Sequence, residues 1–436
     1  MKQLLVICMA LLMGYAKAQE TPIAFTGGTI LPVSGPPIEK GILLVQHGKI
    51  QAVGRAATVR LSSEVTQIDV SGKVLMPGLV DTHSHVGEAA GGDGSAALQP
   101  DVRVLDALNV WSPSLGRARA GGITTVNVMP GSGHLLSGQT AYLKLRKGNS
   151  IQELLLCKDL LNEVCGGMKM ANGTNPMRDN GTFPGTRSRS AAMARQLFIK
   201  AQAYQRKIKE AAGDAAKMPE RDLQLEALVQ VLEGKRTVHF HTHRADDILT
   251  AIRIGQEFGF KPVLQHVSEG WKVAKEIAAS GFPASVIVID SPGGKLEAME
   301  MRFETGAALV KEGALMGYHT DDYITDSRLF LRSAALGMRA GLNREKALES
   351  VTIAGAKMLD LGHRLGTLES GKDADFIILS GDPMSVYTRI EQTWIEGIKV
   401  FDLSNPEDRK YATGAYGVLV GDAVHTHHGD DEDGHR

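Results

Sequence analysis

No stretch of this 436-residue chain has enough consecutive apolar residues to cross a bilayer. The longest apolar run, residues 4–13, holds ten residues, and a spanning helix needs about 20. Lys2 stands before it and Ala16-Lys17-Ala18 after it, the layout of a cleavable signal peptide over residues 1–18. That predicts an exported protein, periplasmic or secreted, with no membrane anchor once the leader is removed. Cysteine is scarce: Cys8 falls inside the leader, and only Cys157 and Cys165 remain. Two cysteines exclude a fold that depends on a disulfide framework, even in an oxidising compartment. An excess of either charge is also missing. Lys and Arg number 48 against 49 Asp and Glu, a formal net charge of -1, so neither nucleic acid nor an anionic membrane is an expected partner.

Glycine, by contrast, is plentiful. The 49 glycines cluster where apolar runs end, as in a chain with many strand-to-loop transitions. From residue 74 to 363, apolar strands alternate with amphipathic helices, the pattern of a parallel sheet with crossover helices. Strands are expected at 74–85, 123–128, 142–145, 167–171, 237–241, 262–266, 285–288 and 314–321. Helices are expected near 150–163 and over the charged stretch 187–235, which reads as an excursion outside the sheet. Eight such units predict an α/β fold, a (β/α)8 TIM barrel. Residues 19–73 and 364–403 read instead as short strands with Gly-rich turns, including a hairpin turning at His47-Gly48. Neither set makes a stable sheet alone. They are joined here into one flanking β-sandwich formed from both ends of the mature chain, with 404–436 as a C-terminal extension.

The chemistry gathers at strand ends. His83 and His85 are one residue apart, so on a strand they share a face and can grip one ion together. The preceding Val74-Leu-Met-Pro-Gly-Leu-Val80 is too apolar for an exposed edge, and the two imidazoles fall at the C-terminal mouth of the barrel, where such folds keep their active sites. His241, His266 and Asp321 each stand where a later apolar run stops. Singly, each has a plain structural explanation: a hydrogen-bonded core histidine or a helix cap. Together, neutral imidazoles and a carboxylate suit zinc or a similar divalent metal. His239, His241 and His243 alternate on one face. His241 ends the apolar run and is taken as the ligand, with His239 in an inner layer and His243 as an outer or substrate contact.

These motifs resemble the amidohydrolase superfamily, and within it the imidazolonepropionase-like, prolidase-like branch of metal-dependent hydrolases. The resemblance covers almost the whole mature chain. It rests on Pro77-Gly-Leu-Val-Asp-Thr-His-Ser-His85, Val238-His-Phe-His241, Gln265-His266, Thr320-Asp321 and Gly366-Thr-Leu-Glu-Ser-Gly-Lys-Asp-Ala-Asp375. It implies the barrel and sandwich, one or two divalent metals, and hydrolysis at carbon bonded to nitrogen. Asp321 would then accept a proton from the attacking water and pass it to the leaving nitrogen, while His266 or His243 helps hold the developing oxyanion. The implied substrate is a small-molecule amide: a lactam-like ring, a dipeptide or an acylated amino acid. Two-metal members carry a carbamylated lysine at the end of the fourth strand. Lys169, in an apolar setting, matches that position, and burial favours the neutral amine that carbamate formation requires. Without the carbamate one ion suffices.

Some features depart from the family or stay open. Deaminases of the superfamily place a glutamate shortly after the strand 5 histidine, whereas Thr242-His-Arg-Ala-Asp-Asp247 follows here, which makes deamination the weaker reaction. Arg187 and Arg189 end a long basic loop that either forks onto a substrate carboxylate or is simply solvated. The tail 425–436 is dense in His and Asp and reads as disordered or as a loose metal binder. It favours one alternative, a silent metal-buffering or ligand-binding barrel, which retention of Asp321 opposes. A homo-oligomer stays open.

Overall fold

The computed structural model describes residues 20–413 apart from 90, 161, 180, 288–294 and 323. The leader, the His-rich tail from 414 onward and residue 288 of the expected seventh strand lie outside the described residues.

Both ends of the chain build two sheets with a shared core. One is ordered Lys49–Arg55, Gly41–Gln46, Ile23–Thr26, Thr66–Asp69. The other is ordered Ile398–Asp402, Ile390–Ile395, Phe376–Leu379, Val74–Pro77, Thr29–Ile30. Phe25 and Leu43 from the first meet Leu75, Phe376 and Trp394 from the second in one buried cluster. The Phe25 ring stands edge-on to Phe376 at 4.9 Å and to Trp394 at 5.0 Å, a preferred aromatic arrangement. The hairpin turns where expected: His47 and Gly48 have φ of 53° and 72°, as a type I′ turn requires.

The expected strand 74–85 is divided. Val74–Pro77 pairs antiparallel with Phe376–Leu379, whereas Leu79–Ser84 pairs parallel with Ile123–Val128. The break falls at Gly78, where a Cβ would collide with the Thr124 side chain. Pro77 also has no N–H with which to continue a ladder.

The remaining strands carry the site. Met168–Ala171, Val238–Thr242, Pro262–His266, Ala284–Ile287 and Met316–His319 pair in succession, all parallel. On the far side, the Asp321 amide donates to the His83 carbonyl at 2.8 Å, which brings the last of these strands against Leu79–Ser84. A parallel third strand over 142–145 does not form. Leu136–Gln139 and Ala141–Lys144 instead run antiparallel to Met168–Ala171 and Ile123–Val128 respectively. Only the strand Leu136–Gln139 and no helix lies between Ile123–Val128 and Ala141–Lys144, so there is no crossover to carry a parallel return.

The helix expected over 150–163 is a single turn, Ile151–Leu154. It is followed by a Cys157–Cys165 disulfide with Cα atoms 5.1 Å apart. This bridge staples one short loop, an effect of roughly 2–3 kcal/mol by loop entropy, and does not organise the fold. The charged stretch forms Arg187–Ala211 and Leu223–Leu232, capped by Thr186 and Asp222. The longer helix buries Ala194, Leu197, Phe198 and Ala201 at helical spacing, with Phe198 stacked on Phe258 and Phe260.

Candidate metal centre

Six histidines, a lysine and an aspartate converge where these strands end. Asp321 Oδ1 lies 3.0 Å from His85 Nε2 and 3.4 Å from His83 Nε2. Lys169 Nζ is 3.0 Å from His83 Nε2. The His266 ring lies 4.6 Å from that of His83 and 4.4 Å from that of His241, with His243 stacked on it at 4.8 Å. Three overlapping groups each offer donor atoms within 4.8 Å of one another: His83, His85 and Asp321; His241, His243 and His266; and His83, His266 and His319. His266 and Asp321 have φ of 72° and 50°, a left-handed backbone costing on the order of 1–3 kcal/mol each that turns both side chains off the ordinary strand direction.

Burial sets the charge state of the imidazoles. It holds His83, His241 and His266 well below the usual histidine range, with neighbouring Lys169 adding to the effect. It pushes His243 and His319 down to about 3. These five are therefore neutral near pH 7, with a lone pair to offer. Burial also lowers Lys169 to about 7, against the pull of Asp321. Asp321 behaves differently: burial raises its carboxyl, but His83 and His85 outweigh that and hold it well below the carboxylate range.

Hydrogen bonds then separate supports from donors. His85 Nδ1 meets the Met129 carbonyl at 2.7 Å, and His83 Nδ1 meets Gln265 Oε1 at 3.3 Å. His243 Nδ1 meets Ser268 Oγ at 2.7 Å. Asp81 accepts from the Thr320 amide and hydroxyl and from the His83 amide, pinning first strand to last. By contrast, both ring nitrogens of His241 and Nε2 of His266 are buried with no hydrogen-bond partner among the described residues. Such a group costs about 1–3 kcal/mol if left unmet. A divalent cation among neutral imidazoles and one carboxylate would meet His266 Nε2 and one of the two His241 nitrogens, and the donor set is of the kind zinc takes.

The amidohydrolase family model matches residues 74–406. The chain belongs to the amidohydrolase family. An amidohydrolase from Thermotoga maritima, known from its crystal structure, superposes with a TM-score of 0.81 at 36% identity, covering 87% of this chain and 100% of that one. Amidohydrolase tasK of Hapsidospora irregularis is 29% identical over 403 residues, which is 85% of this chain and 41% of that relative, so the chain spans less than half of it. The imidazolonepropionase of Deinococcus radiodurans is 27% identical over 392 residues, 79% of this chain and 86% of that protein.

This family member brings together His83, His85, Lys169, His241, His243, His266 and Asp321. It does not bring Arg187 and Arg189 to them as a carboxylate fork. Thr186 caps a helix that begins at Arg187. The Arg187 guanidinium is committed to Asp247 at 2.9 Å and Glu297 at 3.5 Å, and Arg189 is exposed. His239 is buried beside the site with both nitrogens engaged, by Tyr142 Oη at 2.9 Å and Gln265 Nε2 at 3.1 Å. The sequence reading passes over His319. Its signal is parity: it stands two residues before Asp321, as His83 stands before His85.

Proposed function

We propose that this chain is an exported, metal-dependent amidohydrolase that cleaves the carbon–nitrogen bond of a small amide: a cyclic amide, a dipeptide or an N-acyl amino acid. The observation that carries the reading is the set of partnerless buried nitrogens of His241 and His266 beside His83, His85 and Asp321. The strand order, joined through 136–144 and through the Asp321–His83 contact, supports a (β/α)8 TIM barrel. The two end sheets support a β-sandwich beside it.

His83, His85, His241, His266 and Asp321 would hold one divalent ion, zinc by donor type, and a carbamylated Lys169 would help hold a second. Bound there, such an ion supplies a Lewis acid for the scissile carbonyl and acidifies water. The chain's own residues move the proton. The Asp321 side chain is 14% exposed against 1% and 3% for His83 and His85, so it is the carboxylate that a substrate can reach. Held ionised, it takes the proton from the attacking water and returns it to the leaving nitrogen. His243, anchored on Ser268 at 2.7 Å, is the group available to the developing oxyanion. Deamination finds no spare acid after the strand, because Asp247 pairs with Arg187 and Asp246 with Arg244.

The test is release of free amine from a panel of dipeptides, lactams and N-acyl amino acids by zinc-loaded protein, before and after chelation. Release from at least one member, lost on chelation, supports the reading. No release from any member by fully loaded protein sinks it. Export is tested separately, by whether the protein recovered outside the cytoplasm begins at Gln19.

A further inference from the structure

One buried histidine of the cluster has no part in the proposed reaction. His319 closes the strand Met316–His319, and its two ring nitrogens are both engaged. Nε2 lies 3.1 Å from His266 Nδ1. Nδ1 lies 2.8 Å from Ser285 Oγ, which is itself 2.6 Å from Thr82 Oγ1. The ring also stacks on His83 at 4.9 Å and 20°. Thr82, Ser285, His266 and His319 are all buried to 1% exposure or less.

We infer that His319 is a positioning residue for His266, fixing its tautomer and ring rotation so that the partnerless Nε2 presents a lone pair to the cation. This rests on the proposed ligand role of His266. A neutral imidazole has one ring proton, and ligation through Nε2 requires that proton on Nδ1. Two acceptors stand near Nδ1. Asp321 Oδ2 is 3.9 Å away, beyond hydrogen-bond reach, whereas His319 Nε2 is at 3.1 Å. The proton therefore goes to His319. His319 must then carry its own proton on Nδ1 and donate it to Ser285, whose hydroxyl is left to donate to Thr82. Run in reverse, the chain places the His266 proton on Nε2 and blocks its lone pair. The backbone strengthens the need for a support, since His266 at φ 72° does not inherit an ordinary strand rotamer. His319 belongs to one of the candidate donor triplets, but its nitrogens are taken, unlike those of His241.

The experiment measures zinc affinity by chelator competition and zinc stoichiometry at saturation. It compares wild type with His319→Leu, His319→Gln, Ser285→Ala and His266→Ala. His319→Leu is expected to bind zinc roughly 10–100-fold more weakly with unchanged stoichiometry at saturation. His319→Gln, whose Oε1 can still accept from His266 Nδ1, recovers most of that loss, which a purely packing role would not produce. Ser285→Ala keeps the ring but removes its anchor, so a smaller loss is expected there, and it stands in if the Leu variant does not fold. Wild-type affinity in His319→Leu or Ser285→Ala overturns the inference. So does an equal loss in the Leu and Gln variants, or a missing ion in both at saturation, which would make His319 a ligand. Full zinc binding by His266→Ala would instead refute the ligand role on which the inference rests.

Discussion

His239 and His241 are two residues apart on one strand and both buried, yet both nitrogens of His239 are hydrogen-bonded and neither nitrogen of His241 is. The same residue type on the same face thus does two jobs. His239 ties Tyr142 to Gln265, and Gln265 in turn holds His83. His241 holds no described residue by a hydrogen bond, and in the proposed site one of its nitrogens would go to the ion.

Replacing each with alanine should separate the two roles. His241→Ala is expected to lower the metal content found by elemental analysis while melting close to the metal-free wild type. His239→Ala removes one hydrogen-bond partner each from the Tyr142 hydroxyl and the Gln265 amide and leaves a cavity, and is expected to lose roughly 2–4 kcal/mol in denaturant unfolding while keeping its metal. Equal metal in wild type and His241→Ala would reverse the assignment within this strand.

Asp321→Asn tests the proton acceptor. The amide keeps the size of the side chain and one oxygen toward His83 and His85, so most of the metal is expected to stay. Turnover is expected to fall roughly 10²–10⁴-fold, the usual worth of a positioned acid–base group. Turnover near wild type on any substrate that wild type cleaves would remove Asp321 from the proposed mechanism.

The separation between what is legible in the chain and what is not follows interaction range. Strand alternation is local, so His83 with His85 and the ends of the parallel runs can be read directly. The antiparallel course of 141–144 is also local in principle, because the connection over 129–140, rich in Gly and Ser, holds no helical run for a crossover. Arg187 illustrates the opposite case. Its partner Asp247 lies on a helix 60 residues further on, and no local pattern announces that pairing. His319 hides for a third reason: Asp321 ends the apolar run and draws attention past the residue behind it. The disulfide between Cys157 and Cys165 depends on a loop that returns on itself after one helical turn, where spacing alone suggests a longer helix.

Lys169 bears on the number of ions. It is fully buried, and among the described residues its side chain meets Met129 Sδ at 3.0 Å as well as His83. An amine in that setting is well suited to react with carbon dioxide, and the resulting carbamate would supply the anion that two cations about 3.5–4 Å apart need between them. Wild type prepared with bicarbonate is expected to hold about two ions per chain and Lys169→Ala about one. One ion in both, with or without bicarbonate, would make the centre mononuclear.

Below about pH 4.5 acid should weaken the junction between the site-bearing strands and the end sheets, after the buried neutral histidines of the site have begun to cost stability as pH falls through 6.5. Lys144 is fully buried on Ala141–Lys144 and reaches Asp373 at 2.5 Å, Glu396 at 3.0 Å and Asp375 at 3.2 Å, while Arg146 holds Glu396 at 2.7 Å. Burial works against the Glu396 carboxyl, but Arg146 and Lys144 prevail and lower it from 4.5 to about 2. Asp373 is held low by Lys144 in the same way. A carboxyl depressed on folding contributes stability that is present above its unfolded pKa and disappears as pH falls through the folded value. For Glu396 that window runs from about 4.5 down to about 2. Asp375 runs the other way, because burial raises its carboxyl, so it offsets part of the slope. Melting temperature followed by calorimetry is therefore expected to fall across that window in wild type. In Glu396→Gln the fall should be shallower and start from a lower value at pH 7. Lys144→Met leaves three carboxylates without their buried cation and is expected to cost roughly 3–5 kcal/mol at pH 7. An acid slope identical in wild type and Glu396→Gln would show that this junction does not govern acid unfolding.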